Sequence, residues 1–482
     1  MLKVRSKTLV VSIALLAVCA AGQPPLGYAS ELPELGDRSA VVISGAEEEK
    51  LGREFMRNAR EKLKFLDDPE LISYLRNIGH SLAVHSEMPQ QAFHFYIVQD
   101  PSLNAFAVPG GHVTVHTGLI TSAHSESELA AVIAHEIAHV TQRHLPRMFA
   151  KLKQQNLPAL AGLIAAILLG GQAGQAALVA TNAKLLENQL SYSRDFEREA
   201  DAIGIRTLAA TGYEPRAMPG FFERLQQWGR IHDFGAPEFL RTHPLTSDRI
   251  ADSEARADAY PRVKNRDQSE FFHIRAKIRA LYSLELAEAD KEFAANLASK
   301  QYEDENAERY GYILALTAAG KYAEAREQAD FLLSKYPNNV RYLVARAEVE
   351  VHAERYQDAV EWYRRARKLA PSSSTLDIYQ ANALIKAGFF GEARDLLRQA
   401  TRREPNQRLL FFMLSQAEEK TGNLLAAYQA LAEYYYLQGA LAPALRYLEQ
   451  ARKHAGDSFY AQASIDARIQ AVRAEIAAAA DQ

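Results

Sequence analysis

The feature that most constrains this chain is a period. Pro337, Pro371 and Pro405 recur every 34 residues, and the same interval joins Tyr322, Tyr356, Phe390 and Leu424, then Ala325, Ala359, Ala393 and Ala427. Large apolar, small and helix-ending residues in one register describe a two-helix unit, in which the small residue lets the pair approach and the proline ends the unit. Gly320, Gly388 and Gly422 mark the turn between the two helices, where one unit carries Glu354 instead. Such a unit cannot bury its apolar face alone, so this half of the chain must stack neighbour on neighbour. Gly439, Leu441, Ala444, Leu448 and Ala451 repeat the second-helix pattern half a unit out of phase, which predicts one extra helix and a terminal cap. Before Gly320 the pattern weakens, so residues 271–300 are either a degenerate repeat or a bridge to what precedes.

Thirty-four residues is the tetratricopeptide period, and it places an all-α repeat domain at 268–482. The whole chain of 482 residues is 48% hydrophobic and 24% charged, a globular mix that disfavours disorder and a multi-span membrane protein. A net charge of -3 gives no reason to expect a nucleic-acid partner. At the start, Lys3, Arg5 and Lys7 precede an apolar run over residues 8–21, and Gly27 and Ala29 supply small residues for cleavage. That layout predicts a signal peptide over 1–29 and export to a periplasm. The one cysteine, Cys19, lies inside it. Lipidation at Cys19 is the alternative, for which Val18 is a poor fit. A mature chain without thiols has no disulfide framework or Cys-based metal site, so any metal must be held by His and carboxylates.

Between these parts, residues 45–265 form a third unit. A helical pattern begins at Glu47 and runs, with a break at Asp67-Asp68-Pro69, to about Val84. Residues 93–98 and 111–117 alternate as strands, and Ser125 opens a helix whose apolar positions are Leu129, Val132, Ile133, Ile137 and Val140. The second strand is expected at a sheet edge, free to pair an extended polypeptide, with His112 and His116 exposed on one face. Its alternative is an interior strand. Residues 154–183 carry no charge, but the apolar stretch 157–171 is too short to span a bilayer of about 30 Å. It reads as a buried helix pair, a lid or a peripheral membrane contact.

His135-Glu136-Ile137-Ala138-His139 carries the chemistry. Four residues apart on a helix, both imidazoles reach one cation, and Glu136 sits beside them to take a proton from the attacking water. A catalytic zinc needs a third protein ligand and an open position. His144 lies about 140° round a continued helix and faces elsewhere. Glu197 is the better candidate, with Asp201 one turn on to accept the outer N–H of a ligating histidine. Glu199 faces away from both, solvated or paired with an arginine.

Together, HEIAHVTQRH at 135–144, the segment at 197–201, NAFAVPGGHVTVHTGLI at 104–120 and THPLTSDRI at 242–250, followed by the repeats, resemble the HtpX/CAAX-prenyl-protease-like gluzincin family. More narrowly they resemble its periplasmic, repeat-bearing branch, the beta-barrel assembly-enhancing proteases. The resemblance implies an α+β zincin-like peptidase domain, mostly helical with a small sheet, followed by an all-α tetratricopeptide-repeat solenoid. It implies His135, His139 and Glu197 as metal ligands for one Zn2+ per chain and Glu136 as the catalytic acid/base. It also places His243 at the active site, either filling the fourth metal position or hydrogen-bonding the oxyanion; Arg249 is expected to be an ion-pair partner. The implied activity is an endopeptidase with chaperone-like function in the assembly of outer-membrane proteins. Its substrates would be misfolded or unassembled members of that class, with the assembly machinery reached through the repeats. The rival reading is a repeat-based chaperone or scaffold whose zinc site is normally silent.

Overall fold

A computed structural model describes residues 44–151, 194–231, 238–263, 266–283 and 286–480. The expected signal peptide with Cys19, and the apolar stretch 157–171, lie outside the described residues. Among the described residues, no helix is long and apolar enough to cross a membrane.

Helix α1 (Gly45–Lys62) starts where Ser44 and Glu47 cap each other's backbone amides, and α2 (Pro69–Val84) starts at the Asp68 cap with Pro69 in the first turn. The break expected at Asp67-Asp68-Pro69 is therefore a true helix boundary. Leu71, Leu75, Ile78 and Leu82 turn one face of α2 into the main core.

Three strands, β1 (His94–Val98), β2 (Ala105–Val108) and β3 (His112–His116), form a sheet ordered β1-β3-β2, with β3 parallel to β1 and antiparallel to β2. The sequence pattern misses β2, since Ala105, Phe106, Ala107 and Val108 are all buried and no alternation marks them. Finding β2 corrects the expectation for β3, which is the central strand and has no free edge. The exposed positions expected at His112 and His116 are corrected too. Both are buried, because α1 crosses that face of the sheet so closely that a Cβ on Gly52 would meet the His112 ring at 2.9 Å. His112 Nδ1 pairs with the Tyr96 hydroxyl at 3.0 Å, and His116 Nδ1 with Ser102 Oγ at 2.8 Å.

After the short helix α3 (Thr117–Ser122), α4 (Glu126–Thr141) begins at a Ser125 cap and runs through the middle of the domain, with every residue buried except Val140. Around it lie α5 (His144–Lys151), α6 (Arg194–Ala210), α7 (Ala217–Ile231), α8 (Glu238–Thr242) and α9 (Ser247–Ala257). Gly204 of α6 permits a close approach to α4: a Cβ there would sit 3.3 Å from the His135 backbone nitrogen.

Helix α10 (Ser269–Tyr282) is the bridge rather than a degenerate repeat. Phe271, Ile274 and Ile278 belong to the first core, and Ala276 and Ala280 to the core of the repeats. Beyond it, α11 (Ala289–Ser299) packs on α12 (Glu305–Ala318). Then come α13 (Tyr322–Lys335), α14 (Val340–His352), α15 (Tyr356–Leu369), α16 (Ser374–Lys386), α17 (Phe390–Arg403), α18 (Arg408–Lys420) and α19 (Leu424–Leu437). Ala325, Ala359 and Ala393 are fully buried at the crossings. The turn glycines have positive φ, and Glu354 is held at φ 59° in their place. The extra helix is α20 (Leu441–Lys453), and α21 (Phe459–Ala480) covers it.

The N-terminus of α2 faces the repeats. Lys277 Nζ lies 2.8 Å from both Asp68 Oδ2 and Glu70 Oε2 and 3.0 Å from the Tyr379 hydroxyl. Glu70 also accepts from Tyr310 at 2.9 Å and from Arg341 at 2.6 Å, and Arg408 pairs with Asp67. Three acidic side chains at one helix start are thus read by four alternate repeat helices, α12, α14, α16 and α18, and by the bridge.

Candidate metal centre

One turn of α4 separates His135 from His139, and their Nε2 atoms converge to 2.9 Å. Helix α6 brings Glu197, with one oxygen 3.5 Å from His135 Nε2 and the other 3.5 Å from His139 Nε2. His243 follows α8, its backbone amide donating to Phe239 O at 2.8 Å. Its Nδ1 lies 3.3 Å from His135 Nε2 and 3.1 and 3.3 Å from the Glu197 oxygens. One donor atom from each of the four residues lies within 4.8 Å of every other, and all four side chains are buried. Two ring nitrogens at hydrogen-bond distance can share only one proton or one cation, and three imidazoles with a carboxylate form a donor set suited to zinc.

Behind these donors sits a layer of charge. His135 Nδ1 is 2.9 Å from Asp201 Oδ1, the arrangement expected of a carboxylate that sets the ring's tautomer. Arg249, 1% exposed, grips Asp201 with Nε at 2.8 Å and Nη2 at 2.9 Å, and its Nη1 is 2.8 Å from Glu197 Oε2 and from Pro244 O. Arg249 is the ion-pair partner expected. What the sequence does not tell is that its partners are the two carboxylates of the centre, since nothing local to 249 reports a contact with 197 or 201. The same arginine anchors the loop that carries His243.

Titration follows from this layout. Burial alone would raise Glu197, but the charges of His243 and Arg249 and a hydrogen bond from His135 hold it well below its usual range. Burial would depress His135, but hydrogen bonds to Asp201 and Glu197 push it up to about 10. His139 is held well down by burial and by its charged neighbour His135. Glu136 is fully buried, its carboxylate facing the Ala107 backbone amide, and His243 Nε2 lies 3.5 Å from Oε1. Burial pushes its carboxyl up against the pull of His243 and His135, a direction that suits a group exchanging protons near neutrality.

His144 corrects the sequence reading. Helix α4 ends at Thr141 and Arg143 turns left-handed at φ 51°, so the helical projection does not reach residue 144. His144 swings back under the centre, fully buried, with Nδ1 2.8 Å from His139 Nδ1 and Nε2 3.2 Å from Glu199 Oε2. Glu199 faces away from the donors, as expected, and pairs with Arg147 at 3.0 Å.

Residues 69–257 match the model of peptidase family M48, and residues 313–374 and 380–444 match tetratricopeptide repeats. The beta-barrel assembly-enhancing protease of Escherichia coli O157:H7 is 32% identical over 466 residues, 95% of each chain. The putative beta-barrel assembly-enhancing protease of Vibrio cholerae is 34% identical over 443 residues, 91% of each chain. A mitochondrial metalloendopeptidase of Arabidopsis thaliana is 29% identical over 236 residues, 46% of this chain and 44% of that one.

Proposed function

The chain belongs to the beta-barrel assembly-enhancing proteases, metallopeptidases of family M48 joined to tetratricopeptide repeats, and from that premise we propose that it is an exported zinc endopeptidase of the periplasm. Its substrates are misfolded or unassembled outer-membrane proteins, and its repeats engage the machinery that assembles them. The observation that carries the reading is the convergence of His135, His139, Glu197 and His243 on one buried point, with Glu136 beside it. Residues 1–29 act as the removable signal, 45–265 as the peptidase and 268–482 as the repeat domain.

His135, His139 and Glu197 would hold one Zn2+ per chain. Bound there, the ion would supply a Lewis acid for the scissile carbonyl and would make water acidic enough to be deprotonated near neutrality. Glu136 takes the water proton and hands it to the leaving amine. Asp201 keeps His135 in the tautomer that presents Nε2, and Arg249 holds Asp201 and Glu197 in place. Strand β2 lies beside α4 and, among the described residues, pairs only with β3, so its outer edge can take an extended substrate strand.

His243 acts as a plug. Its Nδ1 stands among the other donors, in the position that substrate and water need. Displacing it opens the centre. The same placement favours a second reading, in which repeat-based chaperone binding is the usual activity and the zinc site is silent. Glu136→Gln separates the two: we expect zinc content near one per chain and no peptide cleavage. Retained cleavage would refute the mechanism, and full rescue of a deletion strain by this inactive variant would favour the chaperone reading.

A further inference from the structure

Arg143 is a non-glycine residue in the left-handed region, a conformation that costs about 1–2 kcal/mol and persists only where the surroundings hold it. Its Nε donates to Glu48 Oε1 of α1 at 2.7 Å, which ties the turn to another helix. The consequence of the turn is the position of His144. The ring stacks on Phe196 at 4.5 Å between centroids with 14° between planes, and Arg147 lies over that phenylalanine at 4.7 Å. One ring nitrogen meets His139 Nδ1 and the other meets Glu199.

We propose that His144 is a positioning residue for His139, the far member of a relay that runs from the metal point through His139 and His144 to Glu199. The chemistry of its two ends fixes every proton between them. Binding a cation through His139 Nε2 leaves the proton on Nδ1, which donates to His144 Nδ1. His144 must then carry its proton on Nε2, and Glu199, an acceptor only, receives it. Both rings are thereby neutral, singly protonated and locked in orientation. The centre thus backs its two motif histidines differently: Asp201 and Arg249 behind His135, a second imidazole and Glu199 behind His139. This inference rests on the metal reading of the cluster.

The test is zinc affinity of the full chain, measured by competition with a chelator, together with the melting temperature of the metal-free protein. His144→Phe keeps an aromatic ring against Phe196 and removes both nitrogens; it should weaken zinc binding about 10- to 100-fold with little change in metal-free melting. His144→Asn, which places an amide oxygen where Nδ1 stood, should recover most of that affinity. Glu199→Ala frees the outer end and should cost about tenfold. Wild-type affinity in both His144→Phe and Glu199→Ala would overturn the relay while leaving the metal reading intact. Failure of the wild-type chain to bind zinc would overturn the metal reading itself. Should His144→Phe not fold, Glu199→Ala decides alone, with loss supporting the relay and unchanged affinity refuting it.

Discussion

Replacing Lys277 by Met tests whether the peptidase core and the repeats unfold as one unit. The ammonium is 4% exposed and meets Asp68 Oδ2 and Glu70 Oε2 at 2.8 Å each. At an effective dielectric of about 20, each contact amounts to about 6 kcal/mol before desolvation. Withdrawing the ammonium from water takes back several kcal/mol, and removing one partner of a buried pair typically costs about 3–5 kcal/mol. Glu70 retains Arg341 and Tyr310, and Asp68 keeps the Tyr282 hydroxyl at 3.0 Å and the Glu70 and Leu71 backbone amides at 3.0 and 3.1 Å. The lower end therefore applies, about 3 kcal/mol, or a fall of about 3 °C in Tm if about 430 residues unfold together at about 2.1 cal/mol/K each. The chain holds two tryptophans, and each domain has one: Trp228 in α7 and Trp362 in α15. Their fluorescence, separated by Trp228→Phe and Trp362→Phe backgrounds, reports the two halves independently. An unshifted midpoint, or a shift seen by only one tryptophan, refutes the coupling.

The same contact sets a pH window. Burial would raise Glu70, but the charges of Lys277 and Arg341 hold its carboxyl well below the usual 4.5, so its stabilisation is present above about pH 4.5 and fades as pH falls. Burial would lower Lys277, but Asp68 and Glu70 hold it well above 10.5, so its share is complete below about pH 10.5 and fades above it. Melting followed across pH should lose the alkaline limb in Lys277→Met. Gly204→Val forces a branched side chain toward Met218 and the His135 backbone, and should cost about 1–3 kcal/mol by denaturant titration and weaken zinc binding. Glu354→Gly relieves an exposed left-handed residue and should raise stability by up to about 1 kcal/mol; a loss would show that the strain is compensated locally.

Local and periodic features were legible without coordinates. The 34-residue columns place the repeat helices because each unit buries its face against the next, and the pattern is written at fixed spacing. The histidines of α4 were readable for the same reason, since helical geometry alone puts residues 135 and 139 on one side. Asp201 followed from its four-residue offset to Glu197. Strand β2 was not legible, because a short strand buried on both faces carries no alternation. His144 was misplaced because one left-handed residue, Arg143, ends the helix whose geometry was being projected.

What the sequence by itself determined, then, is which residues share a helix and how often the pattern returns, both consequences of backbone geometry over a few turns. Only the tertiary structure decided which helices face one another. It set Arg249 against Glu197 and Asp201, His144 against His139, and Lys277 between two domains. Each of these is a buried polar contact, and such a contact is selected by the need to satisfy a charge or a ring nitrogen wherever the chain happens to bring a partner, at no fixed separation in sequence.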